Sequence, residues 1–288
     1  SFPFAKQAAS QKLPMPRVPF KSGSSRKRQL SPVAGPKAAK SCRLQLQDQE
    51  AAREAHSREL LFNQYADADG CGGIIKAAGV EALCRDLGLD PADIRLLLLA
   101  WLCSAGEMCT FTRDEFLRGC QRLRAASISR LRTGLDDKLA YMRCHSQQRD
   151  KPDCGDVNAD SCSRETEFRD LYRWTFEFGL EPGQRTLPIA MAVDLWQLVF
   201  EARPTGPPAI LPAWLSWLRS GGHGVRAVTR DTWRMFLAFA DACAAAGGDL
   251  SAYDQSEAWP SLIDDFVEAE IRRLGQQPLE ADDACGGW

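Results

Sequence analysis

Apolar residues recur three and four positions apart along most of this chain, and no convincing strand-like alternation interrupts that spacing. The pattern predicts amphipathic helices, because residues at these spacings share one face of a helix. A chain of 288 residues can also bury a substantial core. The sequence therefore predicts an all-α fold, with helices at about 48–67, 91–101, 116–123, 127–142, 165–178, 188–202, 212–219, 231–246 and 260–274.

Short polar motifs mark where several of these helices begin and end. Asp90, which a proline follows, is a good N-cap for the helix after it. Thr112 and Glu115 form a capping box, and Phe111 and Phe116 supply its hydrophobic staple. Glycines suited to left-handed caps follow three predicted helix ends: Gly179, Gly221 and Gly247.

Charge is distributed unevenly along the chain. Residues 1–47 hold ten Lys or Arg and no acid, whereas the remainder holds 26 basic and 38 acidic residues, a net charge of −12. An acidic body argues against nucleic acid as the main ligand and favours a basic protein surface. The tail is predicted to be disordered. Its Arg26-Lys27-Arg28 cluster near Ser31-Pro32 suggests nuclear import, so we expect a protein of the nucleus and cytoplasm.

The eleven cysteines indicate a reducing environment, not a disulfide scaffold, because the chain is large and rich in tryptophan. No CxxC motif occurs, and Cys144, Cys154 and Cys162 have no recognised zinc spacing. No apolar run is long enough to span a bilayer, and the start of the chain lacks a signal-peptide core. Four cysteines lie within helical patterns, where they act as small hydrophobes: Cys84, Cys103, Cys120 and Cys243.

The segment 257–268 combines an apolar face with an acidic one. It reads as a short helix, with Pro260 in the first turn. The apolar positions are Trp259, Leu262, Ile263, Phe266 and Val267, and the acidic positions are Asp264, Asp265 and Glu268. Two interpretations remain open: a core helix with a solvated face, or a helix whose anionic face binds a basic partner.

Two loops resemble the calcium-binding loop of EF-hands but lack several of its ligands. In the first, which starts at Asp67, Ala78 replaces the bidentate glutamate and Cys71 replaces an oxygen ligand. The second, 104–115, keeps Glu115. Three of its ligand positions hold Ser104, Gly106 and Met108. Calcium needs six or more oxygens, so we expect no metal in either loop.

The sequence contains no catalytic motif that we recognise. GxSxG, Walker and HExxH patterns do not occur, and the three histidines, His56, His145 and His223, lie in polar or loop contexts. An interaction protein without catalytic residues or a cofactor is therefore favoured over an enzyme.

Five blocks of sequence together resemble the potentiating-neddylation domain of the defective-in-cullin-neddylation (Dcn-like) family. They are FRDLYRWTF at 168–176, EPGQ at 181–184, MAVDLWQLV at 191–199, DTW at 231–233, and AWP with LIDDFVE at 258–268. The resemblance covers roughly 58–270 and implies two degenerate EF-hand-like helical units packed on a C-terminal helical subdomain. The expected organisation is a basic tail at 1–47, an EF-hand-like subdomain at 48–143, a flexible insertion at 144–163, the potentiating-neddylation subdomain at 164–275 and a tail at 276–288.

The resemblance implies a function in cullin neddylation. Proteins of this family hold the C-terminal winged-helix domain of a cullin beside the neddylation conjugating enzyme, so that the modifier passes to a cullin lysine. Three matched residues would face the cullin: Asp231, Ala258 and Asp264. The small Ala258 side chain would let the partner approach closely, and Asp265 would extend the negative field.

The resemblance also implies an apolar pocket for the acetylated N-terminal methionine of the conjugating enzyme. Matching positions are Leu97, Ala100, Phe116, Leu117, Phe178, Leu195 and Leu198. Acetylation removes the terminal charge, so an apolar pocket would favour the modified peptide. Two other functions remain open: a calcium sensor of the EF-hand type, and an adaptor that binds a cullin without promoting its modification.

Overall fold

The computed structural model describes residues 36–67, 73–144 and 157–275. The chain divides into two compact units, Ser1–Asp48 and Gln49–Trp288. The basic cluster at 26–28, the central residues of the first EF-like loop, Cys154 and the tail at 276–288 lie outside the described residues. No helix in the described ranges is long and apolar enough to cross a membrane.

Helices dominate the described chain, which confirms the predicted all-α class. The helices are α1 Pro36–Tyr65, α2 Ala77–Leu87, α3 Ile94–Cys103, α4 Arg113–Arg122, α5 Ile128–Arg143, α6 Val157–Phe178, α7 Ile189–Val199, α8 Leu211–Ser220, α9 Arg230–Ala245 and α10 Ser261–Gly275. Single turns of 3-10 helix follow α7 at Phe200–Ala202 and precede α10 at Leu250–Ala252.

Two short antiparallel sheets, which the sequence did not predict, tie connecting loops together. Strand β1 (Ile74–Ile75) pairs with β2 (Phe111–Thr112), so the two EF-like loops are hydrogen-bonded to each other. Strand β3 (Thr186–Pro188) pairs with β4 (Ala227–Thr229). Each strand has only two or three residues, too few for an alternating pattern to be detected.

Several helices begin elsewhere than predicted. Helix α1 starts at Pro36, inside the segment that was predicted to be disordered, and α6 starts at Val157, inside the predicted flexible insertion. Asp93, not Asp90, caps α3, because its side chain accepts the backbone N–H of Arg95 at 2.9 Å. The Asp90 side chain instead closes a turn by accepting the N–H of Ala92.

The predicted capping box and staple of α4 are confirmed. The Thr112 side chain accepts the N–H of Glu115, and the Glu115 carboxylate accepts the N–H of Thr112 at 2.8 Å. The rings of Phe111 and Phe116 lie 6.2 Å apart.

One predicted glycine cap is wrong. Gly221 and Gly247 have positive φ, but Gly179 is not among the residues with that conformation. Gly179 is needed for packing instead, since a Cβ there would lie 2.5 Å from Leu195 Cδ1 and 3.0 Å from Leu187 Cδ2. The end of α6 can therefore approach α7 closely.

Aromatic side chains fill the centre of the C-terminal half. Trp233 stacks on Trp196 at 4.6 Å and on Tyr172 at 5.0 Å. The Tyr172 hydroxyl donates to the Trp233 carbonyl at 2.6 Å and accepts the Trp196 indole N–H at 2.8 Å. Because these buried polar groups are paired, α6, α7 and α9 are held in fixed positions.

A single hydrophobic core runs through the second unit, from Leu61 to Val267. Helices α6 and α7 contact α3 across the predicted subdomain boundary. Cys84, Cys103, Cys120 and Cys243 are free and buried, as predicted. The EF-like half and the C-terminal half therefore form one continuous body that can position two binding surfaces.

Candidate functional site

A mostly apolar cavity of about 250 Å³ lies among α2, α3, the loop before β2, the end of α6 and α7. Five of the residues predicted for the conjugating-enzyme pocket line it: Leu97, Ala100, Phe178, Leu195 and Leu198. They come from both halves of the second unit, because α3 packs against α6 and α7. The cavity is concave and apolar, as sites for small apolar groups are.

The other two predicted pocket residues do not line this cavity. Phe116 is fully buried, with its ring 5.9 Å from the ring of Phe62 on α1. Leu117 is half-buried on α4 but is not part of the cavity wall. The staple turns Phe116 toward the core, so its helical spacing reflects packing within the N-terminal half.

Other cavity residues were missed by the sequence analysis. They are Ala77, Val80, Glu81, Leu83, Cys84, Pro91, Asp93, Leu96, Met108, Cys109 and Phe111. Met108 is 40% exposed, and Cys109 adopts a positive φ of 57°. Met108 could have been found from the sequence, because it is a large apolar side chain in a loop that is otherwise polar.

The cavity rim carries two carboxylates. Asp93 is held by Arg95, whose Nε and guanidinium nitrogens donate to it at 2.9 and 2.6 Å. These hydrogen bonds lower the pKa of Asp93. Glu81 is exposed beside it. The rim is thus anionic and the interior apolar, and burial raises the pKa of the Cys84 thiol in the wall.

A second surface lies around the start of α10; we call Asp231, Asp254, Glu257, Ala258, Asp264 and Asp265 the acidic surface. Ala258 is exposed in a loop, not in a helix as predicted, because α10 begins only at Ser261. The Pro260 carbonyl accepts the N–H of Ile263 at 2.8 Å, so Pro260 precedes the helix.

Local hydrogen bonds fix the loop that presents Ala258. The Asp254 side chain accepts the backbone N–H of Ser256 at 2.8 Å and its hydroxyl at 2.7 Å. These bonds lower the pKa of Asp254. The Trp259 indole donates to the Asp254 carbonyl at 3.1 Å, and its ring packs edge-on against Phe239 of α9. Trp259 is therefore an anchor of the loop, outside the helical stripe to which the sequence assigned it.

Asp264 is oriented by a tyrosine. The Tyr253 hydroxyl donates to the Asp264 carboxylate at 2.7 Å. Burial, with this hydrogen bond, raises the pKa of Tyr253 to about 12, so the phenol stays a donor at neutral pH. Asp264 also lies in the first turn of α10, where the helix dipole favours a negative charge. Asp265, the next residue, is exposed.

Asp231 lies in the first turn of α9 and is exposed. It is eight residues before Phe239, whose ring contacts both Trp259 and Phe266. At a rise of 1.5 Å per residue, Asp231 is about 12 Å along α9 from that contact. Ala258, Asp264 and Asp265 thus lie together at the start of α10, whereas Asp231 lies at the start of α9.

One carboxylate in each EF-like loop, Asp67 in the first and Glu115 in the second, is engaged within the protein. Lys76 Nζ lies 3.0 Å from Asp67 in the first loop. In the second loop, Glu115 accepts the backbone N–H groups of Gly106 at 3.0 Å and Thr112 at 2.8 Å. An ammonium and two amides thus occupy groups that calcium would need. Among the described residues, no group of three His, Cys, Asp or Glu could hold a metal.

Comparison with known proteins identifies the family of this chain. A family model described as "Cullin binding" matches residues 151–269. The human DCN1-like protein 3 is 38% identical over 247 residues, covering 82% of this chain and 72% of that protein. The chain belongs to the DCN1-like family.

Further DCN1-like relatives extend this result. The DCN1-like protein 3 of Xenopus tropicalis is 40% identical over 231 residues, covering 80% of this chain and 67% of that protein. That of Drosophila melanogaster is 36% identical over 237 residues, covering 82% and 62%. The resemblance found in the sequence is thereby confirmed, and membership of the DCN1-like family supports a role in the cullin neddylation pathway with a cullin as partner.

Proposed function

We propose that this DCN1-like protein is a scaffold-type co-ligase for cullin neddylation. It binds the winged-helix domain of a cullin at the acidic surface and the acetylated N-terminus of the neddylation conjugating enzyme in the apolar cavity. The observation that carries this proposal is that both sites lie in one compact unit with a continuous core. A rigid body of this kind would hold two partners at a fixed separation.

The acidic surface suits a basic partner. Ala258 is exposed beside carboxylates, and its methyl group leaves room for close approach. The hydrogen bond from Tyr253 restricts Asp264 before any partner arrives. A pre-oriented carboxylate loses less conformational entropy on binding, and complementary charge speeds encounter.

The cavity suits a neutral, apolar chain end. Leu97, Ala100, Leu195 and Leu198 in its wall offer no partner for a buried ammonium group. Burying an unpaired charge there would be costly, whereas an N-acetyl group is uncharged. Glu81, an exposed carboxylate of the lining, offers a partner to a cationic part of the same peptide.

The proposed mechanism is positional. A scaffold that binds the charged conjugating enzyme and the cullin together converts a bimolecular encounter into an intramolecular one. The lysine nucleophile and the thioester both belong to the partners, so the scaffold needs no catalytic residue. Its contribution is orientation, which depends on the rigidity of the core that joins the two sites.

Single-turnover kinetics test the proposal. The conjugating enzyme, charged with its modifier, is mixed with a cullin winged-helix domain in the presence and absence of this protein. Both partners are kept at concentrations well below the dissociation constant of their own complex. We expect the transfer rate to rise by roughly 10-fold or more, because effective concentrations of linked partners reach the millimolar range. Binding of both partners without any rate increase would establish the adaptor function instead.

A calcium sensor is the other function to test. Isothermal calorimetry with calcium should give no micromolar binding, because Lys76 and the backbone amides engage the carboxylates of the two loops. Binding in the micromolar range would revive that alternative.

A further inference from the structure

A groove of about 410 Å³ lies between α6 and α9, with arginines on both of its sides. Arg169 and Arg173, four residues apart on α6, form one rim, and Arg234 of α9 forms the other. Tyr172, Leu237 and Ala238 complete the lining. None of the described residues that line it is acidic. We call this feature the basic groove.

The three arginines differ in how many ion pairs they make within the protein. Arg169 is held by Glu165 at 3.1 Å and by Asp241 at 2.6 Å. Asp241 is in turn bound by the buried Arg203 at 2.6 Å. Arg169 therefore fixes the shape of the groove, and its donors are largely used within the protein.

Arg173 and Arg234 have guanidinium N–H groups that are available to a ligand. Among the described residues, Arg173 has one partner, an i,i+3 pair with Asp170 at 3.3 Å, and both side chains are more than half exposed. Exposed pairs of this kind contribute about 0–1 kcal/mol, so an incoming anion can replace Asp170 readily. Within the described ranges, no hydrogen bond or ion pair engages the guanidinium of Arg234.

Ion pairs within the protein compensate part of the positive charge of the groove. Arg169 and Arg173 have carboxylate partners, whereas Arg234 on the facing helix has none among the described residues. The rest of the body is acidic, with 26 basic and 38 acidic residues after residue 47. The groove is thus a local reversal of the charge that the acidic surface presents.

We propose that the basic groove binds an acidic peptide segment of a protein partner, with carboxylates paired to Arg173 and Arg234. Guanidinium groups bind carboxylates in bidentate geometry. Successive side chains of an extended segment point in opposite directions, so neighbouring acidic residues reach the α6 rim and the α9 rim. A long polyanion such as nucleic acid is disfavoured by the acidic body around the groove.

This inference goes beyond the proposed co-ligase function: Arg234 lies one turn after Asp231 on α9, but the groove uses no residue of the acidic surface or the cavity. The probe is a fluorescein-labelled peptide with four consecutive glutamates flanked by glycine and serine, measured by fluorescence anisotropy with the full chain. A peptide with glutamine at the same four positions is the peptide control. We expect saturable binding of the glutamate peptide alone, weakened by added salt.

Two double variants identify the site. Arg173→Gln with Arg234→Gln removes two charges from the groove, and Arg219→Gln with Arg272→Gln removes two from exposed positions on α8 and α10. We expect the groove variant to lose roughly 10-fold to 100-fold in affinity, because each charge-assisted pair is lost, and the matched variant to lose much less. All four side chains are exposed, and thermal melting checks that each variant folds.

Equal binding of both peptides would overturn the proposal, as would equal losses in the two double variants. Ala258→Arg should leave affinity for the glutamate peptide unchanged, so failure of the groove and failure of the cullin surface give different results. Preferential binding of a phosphoserine version of the peptide, lost in the groove variant, would replace the carboxylate ligand by a phosphate group and also overturn the assignment.

Discussion

The acidic surface and the apolar cavity are built in different ways. Most of the acidic surface comes from one stretch, 253–265, which hydrogen bonds within the stretch hold in place. The cavity instead draws its wall from α2, α3, a loop, α6 and α7, between Ala77 and Leu198. A surface formed by one short segment tolerates changes elsewhere, whereas a cavity formed by several helices depends on how the whole core packs.

The two sites also depend on different forces. Charge dominates at the acidic surface, where exposed carboxylates act through solvent and are screened by salt. Burial of apolar area dominates in the cavity, and that contribution responds little to ionic strength. The strongest way to separate them is therefore a substitution that destroys one site without touching the other.

Ala258→Arg should have the largest effect of the changes considered. It places a long cationic side chain at the exposed position where a basic partner must approach closely. We expect affinity for the cullin winged-helix domain to fall by at least about 100-fold, in the range of interface hot spots. Isothermal calorimetry or surface plasmon resonance gives the measurement.

Ala140→Arg is the matched control for this change. Ala140 is also exposed, but lies on α5 away from the start of α10, so it adds the same side chain elsewhere. Equal loss of cullin binding in both variants would contradict the assignment of the acidic surface. Loss of acetylated-peptide binding in Ala258→Arg would show that the two sites are not separable.

Ala258, Asp264 and Asp265 were named from the family resemblance, and the structure places all three in one short stretch, 253–265. Asp264 and Asp265 are adjacent, and Ala258 belongs to the same short motif. The apolar pattern did not predict the backbone conformation of this stretch. It placed Trp259 in the helix, whereas the Trp259 indole donates to the Asp254 carbonyl and anchors a loop. The spacing of apolar residues carries no information about a hydrogen bond from a side chain to the backbone.

The cavity was predictable only in part. Leu97, Leu195 and Leu198 share an apolar character with many core residues, and their convergence depends on α3 packing against α7. Phe116 has the same helical spacing but faces Phe62 in the core. Short strands were missed as well, since a two-residue pairing such as Ile75 with Phe111 leaves no detectable pattern.

Leu198→Ala should give the next largest effect, at the cavity. Leu198 is a half-buried wall residue, so truncation removes apolar contact with any occupant. We expect affinity for an N-acetylated N-terminal peptide of the conjugating enzyme to fall by roughly 10-fold, the loss expected from about 1.4 kcal/mol of apolar contact. Calorimetry with acetylated and free-amine peptides makes the measurement.

Leu117→Ala distinguishes the cavity from the wider set of residues that the sequence assigned to the pocket. Leu117 is likewise a half-buried leucine on a helix, but it lies outside the cavity wall. Its truncation should leave peptide binding within about twofold of wild type, even if the free energy of unfolding falls by a similar amount in both variants. Equal losses of affinity would mean that the peptide binds elsewhere.

Tyr253→Phe should have the smallest effect and probes how far the acidic surface is pre-oriented. It removes the hydroxyl that donates to Asp264 at 2.7 Å and keeps the ring that packs against Trp259. We expect cullin affinity to fall by about threefold, because one hydrogen bond contributes roughly 0.5–1.5 kcal/mol and Asp264 keeps its charge. The cavity peptide should bind as before.

The protonation state of Tyr253 gives the same hydrogen bond a pH dependence with a definite sign. Its pKa is raised to about 12, so the neutral donor is favoured in the folded protein. The resulting stabilisation is fully present below the ordinary phenol pKa of about 10 and is lost as the pH rises toward 12. Burial also raises the pKa of Tyr65 and of Tyr172, so absorbance titration near 295 nm should show one fewer late-titrating phenol in Tyr253→Phe than in wild type. A Tyr253 that titrates normally would mean that Asp264 is not held, and that the acidic surface acts by charge alone.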